Sequence, residues 1–323
     1  MSQQDDLSHS LQELTLKKEE PIIKKTKASY DKVALRERWN ILGKEAEQSI
    51  LSMIRKACMG AFARKDFFKI LQLIKASFVQ RDYEGIFTDA INLEIYTAAY
   101  VPGRALCYFE IFCRPQLLKF LTRPSQIYCV GSGSGSELAA IAAAMTRVPA
   151  ERQRVNLVMQ DIGEYESVLT SFENTIRDKW LLTPEQLTCT YEKGDILEAN
   201  ENTDKRFAES DLITFMFVMN ELFVKKAASM ALIQRLVKNM KKGAHLLVKE
   251  NYYYLWCVVE SAGSFSHLKV GNKTYMVYML LDAIQDLEIV VAEDSRWYRR
   301  SEDLKYPIDV QNMRYFIRLY KKK

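Results

Sequence analysis

Apolar residues recur at helical spacing through the first third of this chain, and then the period changes. Val33, Trp39, Leu42, Ala46, Ile50, Met53, Ile54 and Ala57 keep a stripe near 3.6 residues, and Phe67, Phe68, Leu71, Ile74 and Phe78 mark a second helix. Residues 31–124 therefore read as a helical part, closed by Pro124. Beyond it, short apolar runs alternate with helical stretches. Ile127–Val130, Val155–Asp161 and Cys189–Leu197 read as strands, and the unbroken run from Leu212 suits a central parallel strand buried on both faces. Val224–Lys241 reads as a helix through Ala228, Leu232, Leu236 and Met240, ended by Lys241-Lys242-Gly243. Ala244–Val248, Leu287–Val291 and Met313–Tyr320 supply three more strands. The alternation predicts an α/β domain over residues 125–323, with a parallel sheet and helices on both faces. Residues 1–30 are polar and basic and read as a disordered tail.

The densest chemical signal is Ile127–Leu138, an apolar run that enters Gly131-Ser132-Gly133-Ser134-Gly135 and leaves through the alanine-rich Leu138–Met145. Glycines let the backbone approach a nucleotide-like ligand, because no Cβ intervenes. The spacing is G-x-G-x-G, as in the first loop of S-adenosylmethionine (SAM)-dependent methyltransferases, and differs from the G-x-G-x-x-G of dinucleotide binders. Another nucleotide ligand and a plain Gly/Ser turn remain open. About 25 residues later the second strand ends in Asp161, followed by Ile162, where a carboxylate can accept both hydroxyls of a ribose. The alternative for Asp161 is a helix N-cap. Asp195, followed by Ile196, stands after the third strand, where an acid can accept from an adenine amino group, though Gly-Asp is also a frequent turn. The fourth strand ends in Asn220-Glu221, polar groups at the strand tip where open α/β sheets bind ligands.

Composition narrows the class further. Hydrophobic residues make up 48% of 323, enough for a sizeable core, and no apolar run approaches the ~18 residues of a membrane helix. We expect no secretory segment, and Asp5, Asp6 and Glu13 disfavour a mitochondrial transit peptide. We expect a nuclear, nucleolar or cytoplasmic protein that does not engage a membrane. The 6 cysteines form no C-x-x-C, and His9, His245 and His267 form no cluster, so no metal is expected. A net charge of +5 permits an RNA partner. Basic residues gather at Arg55-Lys56, at Arg64-Lys65, at Arg296, Arg299 and Arg300 after the sixth strand, and at Arg318 and Lys321–Lys323. Each group taken alone reads first as a solvated face. Trp297, between arginines, could stack an exposed base or belong to the core.

Several segments together resemble the fungal 25S ribosomal RNA uridine-N3 methyltransferases. They are Tyr100-Val101-Pro102-Gly103-Arg104-Ala105-Leu106-Cys107-Tyr108, the glycine loop, Glu260–Ser266, Tyr275–Asp282, Glu293–Arg299 and Leu304–Tyr315. The resemblance implies a Rossmann-like class I SAM-dependent methyltransferase fold with an N-terminal helical part. It implies SAM as methyl donor, bound at Gly131, Gly133, Gly135, Asp161, Ile162, Asp195 and Ile196. It further implies N3 of a uridine in large-subunit rRNA or a pre-ribosome as acceptor, with Ser264, Ser266, Arg296, Trp297 and Arg299 as RNA contacts. Position alone nominates Glu221 as the general base, Glu260 as the second choice and Asn220 as the group that orients the uracil edge. Two other readings stay open: a SAM enzyme with a protein or small-molecule acceptor, and a non-catalytic Rossmann-like RNA-binding assembly protein. One departure stands out. Residues 249–258 separate Leu246-Leu247-Val248 from the Glu260–Ser266 turn and read as an insertion; the alternative is a long strand or a strand with a bulge-like excursion.

Overall fold

The structure, a computed structural model, describes residues 45–149, 153–251, 267–270 and 273–323. These fall into two compact units: one extends to Gly194 and takes in Tyr298–Met313, the other holds Asp195–Trp297 and Arg314–Lys323. The chain is mixed α/β, with three parallel strands in the first unit and a run of four paired strands in the second. Residues 1–44, including the expected tail and Val33, Trp39 and Leu42 of the helical stripe, lie outside the described residues.

In the first unit, helices α1 (Ala46–Ala57), α2 (Phe67–Gln80) and α3 (Ala90–Phe112) precede β1 (Pro124–Val130). Then come α4 (Ser136–Met145), β2 (Arg154–Asp161), α5 (Glu166–Trp180) and β3 (Leu187–Lys193). The three strands run parallel in the order β3-β2-β1. Ala46, Ile50, Met53 and Ile54 are buried as the helical spacing requires, and so are Phe67, Leu71, Ile74 and Phe78. Phe68 departs from the expectation and is 65% exposed, because it falls one position off that stripe. All of α4 is buried, and its alanines let α3 pack closely against it.

The interior of α3 contains Pro102, which has no N–H for the carbonyl of Ala98 four residues earlier. Tyr306 donates its hydroxyl to that same Ala98 carbonyl at 3.0 Å. A Cβ on Gly103 would lie 3.1 Å from the Gln311 carbonyl oxygen, so the returning segment runs tightly against the helix. Gln48 on α1 exchanges two hydrogen bonds with the backbone of Lys305, at 3.0 and 2.8 Å. The Tyr100–Tyr108 and Leu304–Tyr315 segments thus answer one another in a packing contact.

The second unit contains α6 (Glu201–Glu209), β4 (Leu212–Met216), the one-turn α7 (Met219–Leu222), α8 (Lys226–Asn239) and β5 (His245–Asn251). A hairpin of β6 (His267–Val270) and β7 (Lys273–Met276) leads into α9 (Val277–Asp282), β8 (Leu287–Tyr298) and β9 (Met313–Lys322). The order is β4-β5-β9-β8. Three expectations change. The sheet is not wholly parallel: β5 pairs parallel with β4 but antiparallel with β9. β8 extends to Tyr298, so Arg296 and Trp297 lie in the strand rather than after it. Lys249, Glu250 and Asn251, the first residues of the expected insertion, pair with Ile317, Phe316 and Tyr315, so the strand continues through them. The remainder of that expected insertion, 252–258, lies outside the described residues.

Arg318, expected among phosphate-contacting residues, is instead fully buried on β9. Its Nε lies 3.2 Å from both Asp282 oxygens, its Nη2 binds Asp294, and its guanidinium sits 4.1 Å from the Tyr278 ring centre. Tyr320 donates to Asp282 at 2.7 Å. Burial raises the Asp282 carboxyl above its ordinary value, and the Arg318 charge pulls it back. Replacing Arg318 with methionine should cost about 3–5 kcal/mol, since one charge of a buried pair is left alone. An acid raised in the folded state stabilises below its unfolded pKa and loses that contribution as pH rises through the folded one. Denaturant titrations should therefore show the gap between Arg318→Met and wild type widening from pH 5 to pH 8. A gap that narrows would contradict the assignment.

Candidate active site

The glycine loop is fixed from beneath by β2. Gly131 and Ser132 donate their N–H groups to the Gln160 carbonyl, at 2.9 and 3.2 Å. Gly131, Gly133 and Gly135 take φ values of 62°, 53° and 87°, the left-handed region that side chains disfavour. Their surroundings separate their roles. A Cβ on Gly135 would stand 2.6 Å from Leu169 and 3.2 Å from Phe172 on α5, so this glycine admits the helix packing. A Cβ on Gly133 would meet nothing closer than the Tyr96 hydroxyl at 3.9 Å, so its backbone edge is open to a ligand.

Asp161 is brought to the same place. One carboxylate oxygen accepts from Gly133 N–H at 2.8 Å and the other from Gly163 N–H at 2.9 Å. Burial raises its pKa; the N–H donors of Gly163, Gly133 and Ile162 and the charge of Arg104 oppose the rise. The alternative of a helix N-cap is not what forms, because α5 starts later, with Tyr165 in the cap position. Ile162 is 37% exposed beside it. Gln160 accepts the Tyr128 hydroxyl through Oε1 and donates Nε2 to the Gly194 carbonyl at 3.1 Å. Neither Tyr128 nor Gln160 was singled out by pattern, since a buried strand residue carries no motif.

The second unit presents its own polar group at the ends of β4 and β5. Phe217, just after β4, holds φ 62°, a strained value for a bulky residue, and donates its N–H to the Lys249 carbonyl at 2.8 Å. Lys249 is fully buried, with Nζ 3.9 Å from the Phe217 ring centre and 4.5 Å from that of Tyr315. The adjacent Glu250, 2% exposed, accepts from the Met219 backbone at 2.6 Å through Oε1 and from the Asn220 side-chain amide at 2.8 Å through Oε2. Glu250 thereby fixes Asn220. Reading the segment as an insertion hid this residue. Glu221, half-buried, follows on the same turn and donates its N–H to Val218.

The remaining nominated residues are more scattered. Asp195 accepts from Leu197 N–H at 2.9 Å and lies 3.5 Å from Lys225 Nζ, the turn geometry that Gly-Asp favours; Ile196 is buried. Trp297 is 52% exposed and therefore not core. The Arg314 guanidinium lies 6.0 Å from its ring centre and donates to Ser295 at 2.9 Å. Arg296 lies 3.4 Å from Glu293, and Arg299 is exposed. Glu260, Ser264 and Ser266 lie outside the described residues. Among the described residues no group of three or more metal-ligating side chains occurs, and no helix is long and apolar enough to cross a membrane.

Residues 54–321 match the family described as “Putative SAM-dependent methyltransferase”. The chain belongs to this SAM-dependent methyltransferase family. A relative from Saccharomyces cerevisiae, 25S rRNA (uridine(2843)-N(3))-methyltransferase, is 31% identical over 291 residues, covering 78% of this chain and 77% of the relative. Among solved structures, an O-methyltransferase family protein from Burkholderia thailandensis is 12% identical, with a TM-score of 0.44 over 84% of this chain and 72% of its own. The N-methyltransferase NodS from Bradyrhizobium japonicum, in complex with S-adenosyl-L-homocysteine, is 13% identical, with a TM-score of 0.38 over 66% and 87%. SAM is the methyl donor of this methyltransferase, and the Gly133 edge stands open beside the Asp161 carboxylate. The two glycines should then separate experimentally. Gly135→Ala should lose about 2 kcal/mol or more of stability from its positive φ and the clash with Leu169. Gly133→Ala should lose about half as much yet bind SAM poorly. Equal melting losses in thermal denaturation would contradict this division.

Proposed function

We propose that this methyltransferase transfers a methyl group from SAM to N3 of a uridine in large-subunit rRNA. The observation that carries the reading is the 31% identity, across 78% of the chain, to the yeast enzyme named for that reaction. A nuclear or nucleolar pre-ribosome is the corresponding partner. Trp297 supports an RNA acceptor: it is exposed, with Arg314 over its ring and Arg299 nearby in sequence. An exposed ring beside a guanidinium is a sequence-tolerant platform for a splayed base. Arg318, Lys322 and Lys323 belong less to that surface, since they bind Asp282 and Asp294, Asp286, and the Gln285 carbonyl.

SAM supplies an electrophilic methyl group on a sulfonium, so the protein chiefly positions and deprotonates. Gly131, Gly133 and Asp161 would hold the donor, with Asp161 accepting from the ribose. Asp195 and Ile196 remain the proposed adenine contacts. Uracil N3 carries a proton that must leave before its lone pair can form the new N–C bond while the C–S bond breaks. Glu221 is the proposed base that takes that proton. Asn220, fixed by Glu250, would orient the uracil edge.

Nucleoside mass spectrometry of rRNA from a strain lacking the gene should show loss of one 3-methyluridine; an unchanged level would refute the acceptor. Glu221→Gln should retain SAM binding and lose turnover. That loss should shrink as pH rises toward the uracil pKa, where solvent can remove the proton. Normal turnover in Glu221→Gln would remove the base assignment and leave the acceptor standing.

A further inference from the structure

Tyr96, Tyr100 and Arg104 follow one another at four-residue intervals along α3 and share one face of that helix. The two tyrosine rings stack at 5.2 Å with an interplanar angle of 28°. The Arg104 guanidinium lies 5.4 Å from the Tyr96 ring centre and 5.9 Å from that of Tyr100, and donates to the Tyr96 hydroxyl. Phe87 and Phe78 brace Tyr96 at 5.2 and 6.2 Å. The Tyr96 hydroxyl is also the atom nearest to the open edge of Gly133. A cation held by two rings and a hydroxyl is thus presented at the glycine loop. The Arg104 charge reaches Asp161, whose carboxyl it holds below the value that burial alone would give.

SAM has three polar parts: an adenine, a ribose and an amino-acid end with an α-carboxylate. If Asp161 accepts from the ribose, the carboxylate needs a positively charged donor elsewhere on the loop. A guanidinium matches a carboxylate through two parallel N–H···O bonds, which a lysine cannot reproduce. Its side chain is already ordered by stacking, so little rotamer freedom remains to be lost on binding. We propose that Arg104 binds the α-carboxylate of SAM, with Tyr96 and Tyr100 holding the guanidinium in place. Arg104 would then set the preference for an amino-acid-bearing nucleoside. This rests on the reading of the glycine loop as the SAM site.

Two ligands test it by calorimetry: S-adenosylhomocysteine, which has the carboxylate, and 5′-methylthioadenosine, which keeps adenine and ribose but lacks it. Arg104→Ala should weaken S-adenosylhomocysteine by roughly ten- to hundredfold and leave 5′-methylthioadenosine within about twofold. Arg104→Lys should recover part of the loss and serves as the test if the alanine variant does not fold. Tyr96→Phe should give a smaller loss, again confined to S-adenosylhomocysteine. Equal losses for both ligands, or none for either, would overturn the assignment and leave the loop reading intact. A wild-type protein that binds neither ligand would overturn both.

Discussion

The Asp161 carboxylate ties the glycine loop to the end of β2. The strand delivers the acid to its own C-terminal end, one oxygen takes the Gly133 N–H, and the other takes the Gly163 N–H. Gly131 and Ser132 hang from the carbonyl of the preceding residue, Gln160. A loop with three positive-φ glycines has little conformational preference of its own. It is the end of β2 that fixes its path, and the open edge at Gly133 is the consequence. The cost is a carboxylate partly withdrawn from water, which the N–H donors and the nearby Arg104 charge offset.

Much of this was legible in sequence for physical reasons. Buried parallel strands are continuous apolar runs, and glycines at alternate positions have few structural explanations, so β1, the loop, β2 and β4 could be read directly. Other features belong to the tertiary structure. Phe68 looked apolar enough for the core but falls on the wet side of α2. Arg318 looked like a phosphate ligand, yet its neighbours Asp282 and Asp294 come from distant positions in the chain. Pairing direction is not written in a strand, so the antiparallel β9 was read as parallel. Glu250 was hidden because residues 249–258 read as an insertion, whereas Lys249 is buried against aromatic rings and Glu250 against backbone donors.

Two of the family-resembling segments outside the loop, Tyr100–Tyr108 and Leu304–Tyr315, have a shared structural explanation. Pro102 deprives the Ala98 carbonyl of its helical donor, and Tyr306 restores one. Gly103 admits the backbone near Gln311, which a larger residue would obstruct. Those residues therefore speak for architecture. Arg104, in the same motif, extends the segment to the loop itself. In the second unit the strained Phe217 and the buried Glu250 fix the turn that carries Asn220.

The most direct test of this account is a calorimetric titration of SAM into Asp161→Asn, with folding checked by melting. Asparagine keeps the size but removes the charge and one acceptor. SAM affinity should fall by roughly ten- to hundredfold, the effect of losing charge-assisted hydrogen bonds worth about 1.5–3 kcal/mol. A folded Asp161→Asn protein that binds SAM as tightly as the wild type would contradict the central role of this carboxylate.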